Sequence, residues 1–115
     1  MNFLVKLFLS SLAVILTSYL LPGVYVDSFL AALIVALFLS LLNVTIKPLL
    51  IILTIPLTVF TLGLFLLVIN ALIILIADSF VSGFAVNGFW WALLFSLILS
   101  LINSIIAELS GSDQK

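Results

Sequence analysis

PLLIILTIPLTVFTLGLFLLVINALIILIA, Pro48–Ala77, is 30 residues without a charge, and how often it crosses a membrane decides the fold. As a single helix it would extend about 45 Å against a hydrocarbon core of about 30 Å, so it must be divided. The dividers are Thr54-Ile55-Pro56-Leu57-Thr58 and Thr61-Leu62-Gly63, which leave a span over 63–80 and a shorter apolar arm over 48–62. That arm reaches only about 20 Å, so it should be re-entrant or lie along the interface.

The flanking sequence has the same character. Of 115 residues 67% are hydrophobic, and the only charges are Lys6, Asp27, Lys47, Asp78, Glu108, Asp113 and Lys115. About a quarter of residues are charged in a soluble domain, so the chain reads as one all-α integral membrane unit, 1–115. A first span covers 3–21 and is retained, because Thr17–Leu21 runs into Pro22 without a small-x-small cleavage site. The second covers 29–46 and stops at Lys47-Pro48, since proline disfavours helical geometry in the residue before it. A loop over 82–88 precedes the fourth span, 89–107, and a short polar tail covers 108–115. In this four-span arrangement Lys6, Lys47 and Lys115 share one side, so both termini are expected in the cytoplasm.

Shifting the chain against itself by 60 positions places Pro22–Ile46 over Ser82–Ile106 with 11 of 25 pairs identical, seven of them not leucine. Glycine (Gly23/Gly83), serine (Ser40/Ser100) and asparagine (Asn43/Asn103) are among them, which composition alone does not explain. The expected architecture is therefore two repeated helical hairpins joined by the Pro-broken arm. With an arm that does not cross, the repeat is parallel, about an axis along the membrane normal. Ala32, Ala36 and Ser40, matched by Ala92, Ser96 and Ser100, form stripes of small residues along which the second and fourth spans are expected to meet.

Chemistry-bearing residues are few. Cysteine and histidine are absent, which leaves no thiolate or imidazole chemistry and no ordinary transition-metal site, and no cofactor is expected. A net charge of −1 with three lysines argues against nucleic acid as a partner. Asp27 and Asp78 lack a nucleophile or metal shell, so no enzyme is expected, and they read as solvated loop charges. Trp90 and Trp91, with Phe84 and Phe89, fit an interfacial aromatic belt. The candidate polar cluster is Asn43, Lys47, Thr54, Thr58, Thr61, Asn70 and Asn103. Buried amides must find partners, so the asparagines either brace the arm or form a polar vestibule open to the cytoplasm with Lys47 at its edge. The threonines either bond to local carbonyls freed by Pro56 or line water.

Asn43-Val44-Thr45-Ile46-Lys47-Pro48-Leu49-Leu50, Leu53–Thr58, Thr61-Leu62-Gly63-Leu64-Phe65 and Ile69-Asn70-Ala71 resemble the signature of the four-span phage holin superfamily IV proteins of bacteria. Gly83–Ala92 resembles their second conserved block; Ser28 departs from the glycine usual in the first, while Gly88 keeps it. The resemblance implies a small holin-like protein of the bacterial cytoplasmic membrane, self-associating to permeabilise it. Two alternatives fit the composition: a non-lytic structural or regulatory protein in envelope homeostasis, and a small-ion or small-solute channel. The expected partners are the lipid bilayer and further copies of the chain, with no small-molecule ligand.

Overall fold

A computed structural model describes residues 2–110. Six helices and two short strands follow one another as α1 (Phe3–Leu20), β1 (Val24–Val26), α2 (Phe29–Val44), α3 (Ile46–Leu53), α4 (Ile55–Phe60), α5 (Phe65–Phe80), β2 (Phe84–Val86) and α6 (Phe89–Ser110). Helix starts are set by local donors and acceptors. Asn2 Oδ1 accepts the Val5 N–H at 2.8 Å and Ser28 Oγ accepts the Ala31 N–H at 3.2 Å, each satisfying one of the N–H groups a helix start leaves without a partner. Glu108, Leu109 and Ser110, expected in the polar tail, continue α6; Asp113 and Lys115 lie outside the described residues.

The arm is two short helices that contribute no buried residue. Pro48 cannot donate a helical hydrogen bond, and the chain breaks three residues earlier, at Thr45, whose hydroxyl donates to the Leu41 carbonyl at 2.7 Å. The break falls before Ile46, so Ile46 and Lys47 belong to the arm, and α3 departs from α2 at 41°. Pro56 sits at the start of α4, where its missing N–H costs nothing. Beyond α4, Gly63 N donates to Thr58 O at 2.8 Å and Leu62 N to Val59 O at 3.0 Å, a Schellman closure. Its left-handed position is filled by Leu62 (φ +59°), a conformation that costs a leucine about 1 kcal/mol, and Gly63 follows at +90°.

Both hairpin turns lie at one end of the molecule, because β1 and β2 pair antiparallel, Val24 with Val86, Tyr25 with Ala85 and Val26 with Phe84. The pairing extends outward through Asp27 N to Gly83 O at 2.7 Å and Asn87 N to Gly23 O at 2.8 Å. An all-α fold was expected, with bare loops here; instead the two turns satisfy each other's backbone groups in a ribbon. Every one of these pairs is reciprocal under the shift of 60: where residue i meets the counterpart of j, residue j meets the counterpart of i. That reciprocity is the mark of a two-fold relation, with the axis between Tyr25 and Ala85. Burial repeats too, since 32–40 and 92–100 alternate buried, partial and exposed positions in the same order.

Packing joins α1 to α2 and α5 to α6 within hairpins, and α1 to α6 and α2 to α5 between them. Helices α2 and α6 occupy opposite corners, with no Cα pair within 8 Å among the described residues, so the small-residue stripes do not meet. Ala32, Ala36, Ala92 and Ser96 are buried all the same, while Ser40 and Ser100 are exposed. The small side chains let each helix approach the adjacent helices closely, which puts the alanines inside without a diagonal contact. Between them Val14, Val35, Ile69, Ile73 and Phe95 form a fully buried plug, with the Phe84 ring 5.5 Å from that of Phe95.

By length and composition α1 and α6 can each cross a membrane, and α2 with α3 can do so as a bent pair. Helix α5 is apolar but shorter, at 16 residues. It reaches about 24 Å, so the bilayer must thin slightly there or the turns before Phe65 must enter it.

Candidate functional site

At the end of the bundle away from the ribbon, two polar cavities open between the helices. The larger, about 340 Å³, is lined by α1 residues Phe3, Lys6, Leu7 and Ser10, α2 residues Ser40, Asn43 and Val44, and Asn103 of α6. The smaller, about 80 Å³, brings together Asn43, Lys47, Asn70, Ser96, Ser100 and Asn103 over the apolar side chains of Leu39, Ile73, Ile74 and Leu99. Each cavity lies against one hairpin and borrows an asparagine from the other, so Asn43 and Asn103 line both. Each also has one lysine.

The side chains around the cavities are partly committed. Ser10 Oγ donates to Asn103 Oδ1 at 3.4 Å, tying α1 to α6, and Ser40 Oγ donates to the Ala36 carbonyl at 3.0 Å. Ser96 Oγ donates to Leu93 O at 2.9 Å. Deeper in α1, the Ser11 and Thr17 hydroxyls bond back to Leu7 O and Ala13 O at 2.8 and 2.7 Å, so these buried groups cost little. Lys6, Lys47 and the side-chain amides of Asn43, Asn70 and Asn103 are among the lining residues, and among the described residues no carboxylate lines either cavity.

Of the residues singled out from sequence, Asn43, Lys47, Asn70 and Asn103 are brought together. Thr54, Thr58 and Thr61 line neither cavity. Thr54 Oγ1 donates to Leu50 O at 2.7 Å and lies 3.5 Å from Thr58 Oγ1. Thr61 Oγ1 donates to Thr58 O at 3.2 Å and accepts the Phe65 N–H at 3.1 Å, which caps the entry to α5. Lys6 and Ser10 were not singled out. The shift of 60 places Ser10 on Asn70, and that correspondence would have found it.

The opposite end has a separate cavity of about 140 Å³, lined by Ser18, Tyr19, Asp27 and Ser28 with Ile15, Val26 and Phe29. Asp27 and Asp78 are more than solvated loop charges: Asp78 Oδ2 accepts the Val86 N–H at 3.4 Å, and Asp27 Oδ1 accepts the Tyr25 hydroxyl at 2.9 Å. That hydrogen bond, reinforced by the carboxylate charge and by slight desolvation, raises the Tyr25 pKa above its ordinary value. The aromatic belt also divides. Trp90 is exposed, its ring edge-on to Phe89 at 5.4 Å, whereas Phe84 is buried and Trp91 lies over Gly23, where a Cβ would fall on the indole ring.

Comparison with known proteins adds three findings. The family model described as "Mycobacterial 4 TMS phage holin, superfamily IV" matches residues 1–105. "Uncharacterized membrane protein YvlD" of Bacillus subtilis is 41% identical over 105 residues, which cover 90% of this chain and 88% of that protein. "Uncharacterized protein SCO3922" of Streptomyces coelicolor is 38% identical over 112 residues, covering 89% and 90%. No solved structure matches.

Proposed function

The chain belongs to the four-span phage holin superfamily IV and is a bacterial membrane protein, and we propose that it is a non-lytic member that presents a cytoplasm-facing polar vestibule without opening the bilayer. The observation that carries this reading is the direction in which its polar groups face. Asn43, Lys47, Asn70 and Asn103 gather around one cavity at the end of the bundle away from the ribbon, and the cavity reaches only as far as Ile73 of the buried plug of Val14, Ile73 and Phe95. The outer surface is studded with exposed apolar side chains from Phe8 on α1 to Leu101 on α6. A lesion assembled from such copies would have few polar side chains to hold water, such as Ser40, Asn43, Ser100 and Ser104, exposed on α2 and α6, and the plug leaves no conduit through a single copy.

In this reading the membrane is the cytoplasmic one, crossed by α1, α2, α5 and α6. The pairing of both hairpin tips supports a parallel repeat with an arm that does not cross. Lys6 and Lys47 then lie on the cytoplasmic side, with Asp27 and Asp78 opposite, as the basic-residue bias requires. The role is structural or regulatory in the envelope, it needs no catalytic group, and self-association is not required for it.

Inducible expression tests the proposal, with membrane potential and release of a co-expressed endolysin followed together. The expected result is a held potential and no release. Abrupt depolarisation with release would return the protein to the lytic reading, and selective flux from liposomes without lysis would favour the channel.

A further inference from the structure

The larger cavity has the donor set of an anion site. Lys6 has no ion pair among the described residues, and Asn103, whose Oδ1 is occupied by Ser10, keeps its amide N–H groups for the cavity. Asn43 adds a second amide. Among the described residues the only acid at this end is Glu108, which is exposed near the end of α6 and is not part of the lining. At about 340 Å³ the cavity is of the size that holds small molecules.

A second feature lies on two of the same helices, α1 and α6, and has no lining residue in common with the cavity. An apolar groove of about 270 Å³ runs between α1 and α6, lined only by Leu12, Ala13, Leu16, Ile102, Ile105 and Ile106. Ser10 and Asn103, which tie these helices together at the polar cavity, are close neighbours in sequence of Leu12 and Ile102 in the groove. Charge with amide donors near a membrane surface, with an apolar groove on the same pair of helices, matches a phospholipid better than a free anion.

We propose that this is a binding site for one anionic phospholipid, with its phosphate between Lys6 and the amides of Asn43 and Asn103 and an acyl chain in the α1–α6 groove. The inference rests on the reading above for its leaflet, the cytoplasmic one. There the lipid would serve as the ligand of the vestibule.

The test uses the full chain in a phospholipid-free maltoside detergent, with native mass spectrometry reading retention of phosphatidylglycerol, phosphatidylcholine or sodium phosphate. One phosphatidylglycerol should be retained in preference to phosphatidylcholine. Lys6→Gln should weaken retention about fivefold, the worth of one lysine near an anionic lipid. Asn103→Asp, nearly isosteric, should weaken it further by setting a carboxylate against the phosphate. Lys115→Gln, which removes the same charge from the tail, should leave it unchanged. The shift in tryptophan emission on unfolding, to which Trp91 packed over Gly23 contributes, reports whether each variant is folded. Equal loss from Lys6→Gln and Lys115→Gln, equal retention of phosphatidylcholine, or binding of phosphate without the lipid would overturn the site. Depolarisation in cells would sink the non-lytic reading and leave a positive lipid result standing; lost retention with an intact potential would sink only the site.

Discussion

Gly23 and Gly83 are counterparts under the shift of 60, yet each is a glycine for a different reason. At Gly83 the backbone is left-handed (φ +84°) and a Cβ would also come 3.0 Å from that of Asp27. Gly23 has no such backbone demand; Trp91 takes the space instead. Gly23→Ala should therefore destabilise the protein by about 1–3 kcal/mol in micelle unfolding, as overpacking does. Adding Trp91→Ala should recover part of that loss, and a Gly23→Ala protein as stable as the parent would refute the contact. At the neighbouring Tyr25 the effect is electrostatic. Its folded-state pKa is raised, so the stability it contributes is fully present below the usual tyrosine value of about 10 and is lost as pH climbs through the raised one. Ultraviolet titration of the phenol should show the elevated midpoint, and Asp27→Asn should bring it down.

Among the elements, the arm departs furthest from ordinary expectation. Phe60 and Leu62 are 85% and 92% exposed, and Leu62 occupies a left-handed position that glycine fills at lower cost. Helices α3 and α4 hold 8 and 6 residues, too few to cross even end to end at about 1.5 Å each. The absence of native cysteine makes their sidedness measurable. A single cysteine at Leu62 should react with an impermeant maleimide only in inverted vesicles, whereas one at Asn87, beside the ribbon, should react in whole cells. The reverse pattern, Leu62 labelled in whole cells and Asn87 only in inverted vesicles while a cysteine at Tyr25 still reacts in whole cells, would mean that the arm crosses and the parallel arrangement is wrong.

For the whole molecule, the two-fold relation explains why the polar residues collect at one end. Two hairpins related by an axis through the ribbon bring Asn43 and Asn103 to the same depth, and each then lines both cavities. The relation is broken where α2 continues into the arm while α6 runs straight on, and Lys47 reaches the smaller cavity from α3. A protein arranged this way gathers Lys6, Lys47, Asn43, Asn70 and Asn103 at the end away from the ribbon, with the buried plug between that end and the other. The held membrane potential expected on expression follows from that shape.

Charge spacing was sufficient to read the helical membrane class and a break within Pro48–Ala77, because membrane helices must satisfy length and backbone bonding locally; of the seven polar-cluster residues, four share a cavity. Helix neighbours were not readable. A stripe of small residues allows close approach without naming the partner, and α2 and α6 proved to be diagonal. The ribbon was hidden for a similar reason: Val24–Val26 and Phe84–Val86 are too short to signal strands, and each pairs only because folding brings the other beside it. Lys6 and Ser10 became part of a cavity only through the approach of α6 to α1, a contact 93 residues apart in sequence that no local pattern encodes.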